Sequence, residues 1–166
     1  MAILGNTGKD LDTTLKDALK ILPLLDEEEK AKLLEELTTL DNLKTKENAQ
    51  LHFMDFVNKV WPTFIGGRHH KDMAHAFERV ARGEIKRLII NMPPRHTKSE
   101  FASYLLPAWF LGKFPQKKVI QTSHTAELAV GFGRKVRNLV DSEVYKSIFP
   151  GVGLQSDSKE IGRAHV

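Results

Sequence analysis

The residues best suited to chemistry lie in one stretch, Arg87–Glu100, which reads RLIINMPPRHTKSE. The apolar run Leu88-Ile89-Ile90 has the character of a short buried strand, and a polar, proline-led loop follows it at 93–98. Helical spacing resumes over Ser99–Leu111. A strand, a loop closing on Lys98-Ser99 and a helix start make up the arrangement of a phosphate-binding loop. Backbone N–H groups at the loop and helix N-terminus face the anion, and the helix dipole adds partial positive charge. In such a loop Lys98 reaches the β- and γ-phosphates of ATP and the Ser99 hydroxyl ligates Mg2+. The general pattern G-x-x-x-x-G-K-[ST] puts Met92 and Thr97 where glycines stand. On these residues alone, a phosphate-binding loop and an ordinary strand-to-helix turn both fit.

The flanking pattern indicates what positions this loop. Leu15, Leu19 and Leu22 share one face of a first short helix that Pro23 stops. Asp26 and Glu29 form a variant capping box for a second helix, lined by Leu33, Leu34, Leu37 and Leu40. Thr45 is placed to cap a third helix carrying Phe53, Val57 and Val60. After the Gly66-Gly67 turn, a fourth helix has Met73, Phe77 and Val80 inward and Gly83 at its C-terminal stop. Val119-Ile120 marks a second strand, Lys118–Thr122. Ser123–Val140 reads as a helix with Leu128, Phe132, Val136 and Leu139 inward. The strand–helix–strand–helix order predicts an α/β fold, with Arg87–Met92 and Lys118–Thr122 as parallel strands joined by a right-handed crossover. Pro107 is expected to kink or shorten the crossover helix.

Composition narrows the class. The chain has 166 residues, 41% of them hydrophobic, which is ordinary for a globular protein. With no cysteine, disulfides, thiolate zinc sites and Cys nucleophiles are excluded. No apolar run approaches the ~20 residues of a membrane span, and Met1–Asp10 does not read as a signal peptide, so a soluble, intracellular protein is expected. The net charge of +4 is unevenly spread: residues 1–50 carry 7 Lys against 11 Asp/Glu, while 51–166 carry 18 Lys/Arg against 10. An acidic head before a basic body points to different partners for the two parts, with polyanions suited to the second.

Other candidates are weaker. His69, His70 and His75 invite a metal-site reading, but no carboxylate completes a set at ligand spacing. Arg134, Lys135 and Arg137 form a basic cluster that serves either as a solvated face or as a DNA-tracking surface. Trp61 and Trp109 read as core aromatics, and Asp141 and Glu143 as helix-boundary charges.

Several blocks in order resemble the N-terminal ATPase region of phage large terminase subunits, the motors that package viral DNA into proheads. They are FVNKVWPTF, the following His-containing helix, RLIINMPPRHTKSE, PAWFLGKFPQKKV and RKVRNLVDSEVYKSIFPG, between about Phe53 and Asp157. Terminases commonly have deviant loops of the type P-P-R-H-x-K-S, here with Thr97 where many relatives have Gly.

The resemblance implies a P-loop NTPase of the ASCE type. Its parallel-sheet core would be incomplete here (46–160) and preceded by a helical extension (1–45). The implied activity is ATP hydrolysis that drives double-stranded DNA into proheads in the host cytoplasm. A homo-oligomeric ring on the portal protein and a small terminase subunit are the implied partners, and a metal-dependent endonuclease is expected in the full-length protein. Lys98 and Arg95 take the catalytic roles by analogy, Arg95 at the terminal phosphates. Pro94, Arg95, His96, Thr97, Lys98 and Ser99 surround the triphosphate, Ser99 holds Mg2+, and His70 and Met73 are the adenine contacts. A helicase-like ATPase shares the loop but lacks the PAWFLGKFP and VYKSIFPG blocks. A non-catalytic DNA-binding adaptor leaves Lys98-Ser99 without a purpose.

The family's Walker B acids, catalytic Glu and nuclease are expected beyond residue 160. Ile161–Val166, IGRAHV, is what one frame of a common sequencing adapter encodes, so these six residues are set apart from the fold.

Overall fold

The computed structural model describes residues 25–154. The expected helix through Leu15, Leu19 and Leu22 and the terminal segment 161–166 lie outside the described residues. Two compact units are present, Met1–Lys44 and Thr45–Val166.

Helix α1 (Glu27–Leu51) begins in the first unit and ends in the second. Its start is the capping box read from the sequence: Glu29 N–H donates to Asp26 Oδ1 at 2.8 Å, and Asp26 N–H donates to Glu29 Oε2. Thr45 does not interrupt it. Thr38 and Thr39 are accommodated inside the helix by donating back to the Leu34 and Glu35 carbonyls.

The second unit packs the end of α1 with α2 (Phe53–Val60), α3 (Arg68–Ala81), α4 (Leu106–Lys113), α5 (Ala126–Val140) and α6 (Glu143–Ile148). Phe53 is the hub of its core. Phe53 is fully buried and meets Phe77, Phe101 and Trp109 edge-on, at centroid distances of 5.3, 5.6 and 5.5 Å. Each such pair adds about 0.5–1.5 kcal/mol beyond area burial. His52 provides no side-chain cap for α2, and the Phe53 N–H is satisfied instead by Glu78 Oε1 of α3 at 2.9 Å. Buried Trp109 donates Nε1–H to the Ala49 carbonyl, and Tyr145 donates its hydroxyl to the Ala108 carbonyl at 2.8 Å. Gly83 stops α3 as expected, at φ +79°, a conformation that glycine takes without strain.

The expected parallel sheet is not there. Among the described residues no strand forms, and the fold is helical. Segments 87–92 and 118–122 are without ladder pairing, and Ile89 is 85% and Ile120 90% exposed. A parallel sheet needs both faces covered and neighbours for its strands, and neither is provided to these apolar side chains. The α/β fold class, with its ASCE-type sheet, is therefore corrected to a helical one for this region.

Helical backbone does follow the loop, from Lys98 to Lys113. Its first part, Glu100–Leu105, is wound as a π-helix, so Leu106 N–H reaches the Phe101 carbonyl five residues back. Pro107 lies immediately beyond, at the start of α4. Proline has no N–H to give the Ser103 carbonyl, and the Gln121 side chain supplies that bond at 3.1 Å. Segment 118–122 is thereby fastened to the helix after the loop.

Candidate phosphate-binding loop

Pro93 and Pro94 stiffen the entry to the loop, and a helix leaves it at Lys98. Between them Arg95 and Thr97 take left-handed backbone, at φ 65° and 54°. These are the only non-glycine residues with positive φ among those described. Each costs about 1–2 kcal/mol, and for a β-branched threonine the conformation is a true outlier. Left-handed residues alternating with others make a concave "nest" of N–H groups of the kind that binds anions. The N–H groups of Arg95 and Thr97 have no acceptor among the described residues, that of His96 faces the Pro93 carbonyl across a turn at 94–95, and Phe101 N–H closes onto the Thr97 carbonyl at 2.9 Å. The donors of the helix's first turn are open by construction.

The charge fits an anion. Arg95, His96 and Ser99 are exposed, and Lys98 is half-buried with Nζ 3.5 Å from the Met92 carbonyl, curled over the loop. The adjacent acid, Glu100, is neutralised by Lys135 of α5 at 2.6 Å. Lys135 also lies over the Tyr104 and Phe132 rings. It is therefore engaged at the loop's helix, and it is exposed along with Arg134 and Arg137 of the same basic cluster.

Thr97 is tied to a distant residue. His70 Nε2 lies 2.6 Å from Thr97 Oγ1, and Thr97 Oγ1 donates to the His96 carbonyl at 2.7 Å. The other ring nitrogen of His70, Nδ1, accepts the Gly67 N–H at 2.8 Å. His70 is buried, and that burial, with the neighbouring His69 and His96, pushes its pKa below the usual value. The same burial favours its neutral form.

Pro94, Arg95, His96, Thr97, Lys98 and Ser99 thus form one turn, and His70 joins them through Thr97. Both ring nitrogens of His70 are engaged within the protein, and Met73 is buried in the hydrophobic core. The sequence reading missed the His70–Thr97 bond, the Glu100–Lys135 pair and the Gln121 contact, since each joins residues far apart in the chain. His69 Nε2, beside the loop, is buried without a hydrogen-bond partner among the described residues. No group of three His, Asp or Glu side chains arranged for a metal ion occurs among the described residues.

Asp141 caps α5, and Glu143 opens α6, where both approach Lys146. They are helix-boundary charges in the structure as in the sequence. No protein-family model, no curated protein and no solved structure matches this chain.

Proposed function

We propose that residues 93–99 bind the polyphosphate of Mg-ATP, as the nucleotide site of a DNA-packaging motor of the large-terminase type. The observation that carries the reading is the left-handed backbone three residues and one residue before Lys98, with open N–H groups between it and a helix start. It rests on the loop and on the ordered sequence blocks. Lys98 serves as the point charge at the β- and γ-phosphates, the Ser99 hydroxyl holds Mg2+, and Arg95 faces the terminal phosphate. Bound Mg2+ would neutralise the charge that develops on the transferred phosphoryl group. The proposed setting is a homo-oligomeric ring on the portal, with double-stranded DNA and a small terminase subunit as partners.

The test is calorimetric titration of the chain with MgATP. Saturable binding that Lys98→Ala abolishes, with the thermal midpoint unchanged, is the expected outcome. Equal binding by Lys98→Ala refutes the loop assignment. Prohead-dependent packaging then separates a packaging motor from a helicase-like ATPase.

A further inference from the structure

We propose that His70 is a positioning residue for the phosphate loop. It acts through the Thr97 hydroxyl to hold residue 97 in the left-handed conformation that opens the loop to an anion. The inference rests on the phosphate-loop reading above.

The directions of the hydrogen bonds are forced. The Gly67 N–H can only donate, so His70 Nδ1 accepts and the neutral ring carries its proton on Nε2. The His96 carbonyl can only accept, so the Thr97 hydroxyl gives its hydrogen there. Thr97 Oγ1 is left to accept from His70 Nε2–H at 2.6 Å. One continuous chain thus runs from Gly67, the N-cap of α3, through the ring to the loop. The ring itself cannot drift, because it is 6% exposed and packed against Phe64 and Phe101, at centroid distances of 4.8 and 5.0 Å.

A glycine at 97 would adopt φ 54° unaided, whereas a β-branched residue adopts it only where surrounding structure specifies it. The hydroxyl, held between His70 and the His96 carbonyl, is that specification. Holding the loop open before the anion arrives removes an ordering cost from binding, so the tether is read in affinity.

The test uses MgATP and the whole chain. His70→Phe keeps an aromatic ring between Phe64 and Phe101 and removes both hydrogen bonds. It is expected to weaken binding about tenfold. Thr97→Val, which keeps the shape and loses the hydroxyl, is expected to show a similar loss, and Thr97→Ser to restore most of the affinity. In a Thr97→Gly background the His70→Phe loss is expected to shrink to less than about twofold, since glycine needs no tether. Equal loss in both backgrounds means that His70 only supports the fold, and overturns the proposal, as does wild-type affinity in His70→Phe. Should His70→Phe fail to fold, the Thr97→Val and Thr97→Ser pair decides, and equal affinity of those two overturns the proposal. Lys98→Ala, run in parallel, identifies failure of the phosphate reading itself. Nitrogen-15 spectra of the ligand-free chain read the tether without nucleotide: the Nε2–H tautomer of His70 is expected, and the Nδ1–H tautomer overturns it.

Discussion

Thr97 offers an inversion of the usual ranking of substitutions. At an ordinary position glycine is the more damaging replacement, because it adds backbone entropy to the unfolded chain, at about 0.5–1 kcal/mol. At Thr97 the backbone is left-handed, and relief of that strain returns about 1–2 kcal/mol to Thr97→Gly. Thr97→Val keeps the strain. Both variants delete the hydroxyl and leave buried His70 Nε2–H without its acceptor, a cost of about 1–3 kcal/mol. The shared loss cancels in the comparison. Thr97→Val should therefore be destabilised by about 1–3 kcal/mol, and Thr97→Gly by roughly 1 kcal/mol less.

Urea unfolding followed by circular dichroism measures this, with stability read from the midpoint while the slope is unchanged. A changed slope would signal an altered unfolded state instead. Thr97→Gly at or below Thr97→Val in stability refutes the strain at residue 97. Wild-type stability in Thr97→Val refutes the hydrogen bond.

Two further outcomes follow from the same structure. A Cβ added at Gly112 would lie 2.5 Å from the ring of buried Phe149, which is itself packed against Phe56 and Tyr145. Gly112→Ala should therefore lower stability by about 1–2 kcal/mol, because overpacking outweighs the ~1 kcal/mol that alanine gains in a helix; an unchanged or raised urea midpoint counts against that packing. The folded pKa of His70 is below its usual 6.5, so its contribution to stability is fully present above about pH 6.5. That contribution is lost as pH falls through the lower folded value, where protonated Nδ1 would confront the Gly67 N–H. Urea midpoints between pH 7.5 and 5 should show this loss in the wild type and less of it in His70→Phe; identical pH profiles would contradict it.

The turn after Pro93-Pro94 and the helix that follows it are legible in the sequence because their signals are local: two prolines, and helical spacing immediately after. The Asp26–Glu29 box and the Gly83 stop were legible for the same reason. The sheet was a misreading with a physical cause. Leu88-Ile89-Ile90 and Val119-Ile120 have residues suited to strands, but pairing depends on which segments come alongside, and no residue within either run encodes that. Leu128 was placed inward by helical spacing and is 42% exposed, while Val136 and Leu139 of the same face are buried. Periodicity identifies a face without saying how much of its length the rest of the fold covers. His70, an expected adenine contact, hydrogen-bonds within the protein through both ring nitrogens, to Gly67 and to Thr97. Nothing local to residue 70 could have indicated a partner 27 positions away.

The loop's two anchors differ in size, and that difference decides what can be tested. Phe101 follows the loop closely, is fully buried, and contacts Phe53, Phe64 and His70. Its N–H closes on the Thr97 carbonyl, so core packing fixes one side of residue 97. Truncating Phe101 would cost about 3–5 kcal/mol and disturb the core along with the loop. The hydrogen bonds at Thr97 contribute about 0.5–1.5 kcal/mol each, which is comparable to the strain of one left-handed residue. A term of that size lowers stability measurably while leaving the aromatic core assembled, and it can shift which conformation the loop occupies. His70 and Thr97 are therefore the positions where loop geometry can be altered while the aromatic core beneath it stays assembled.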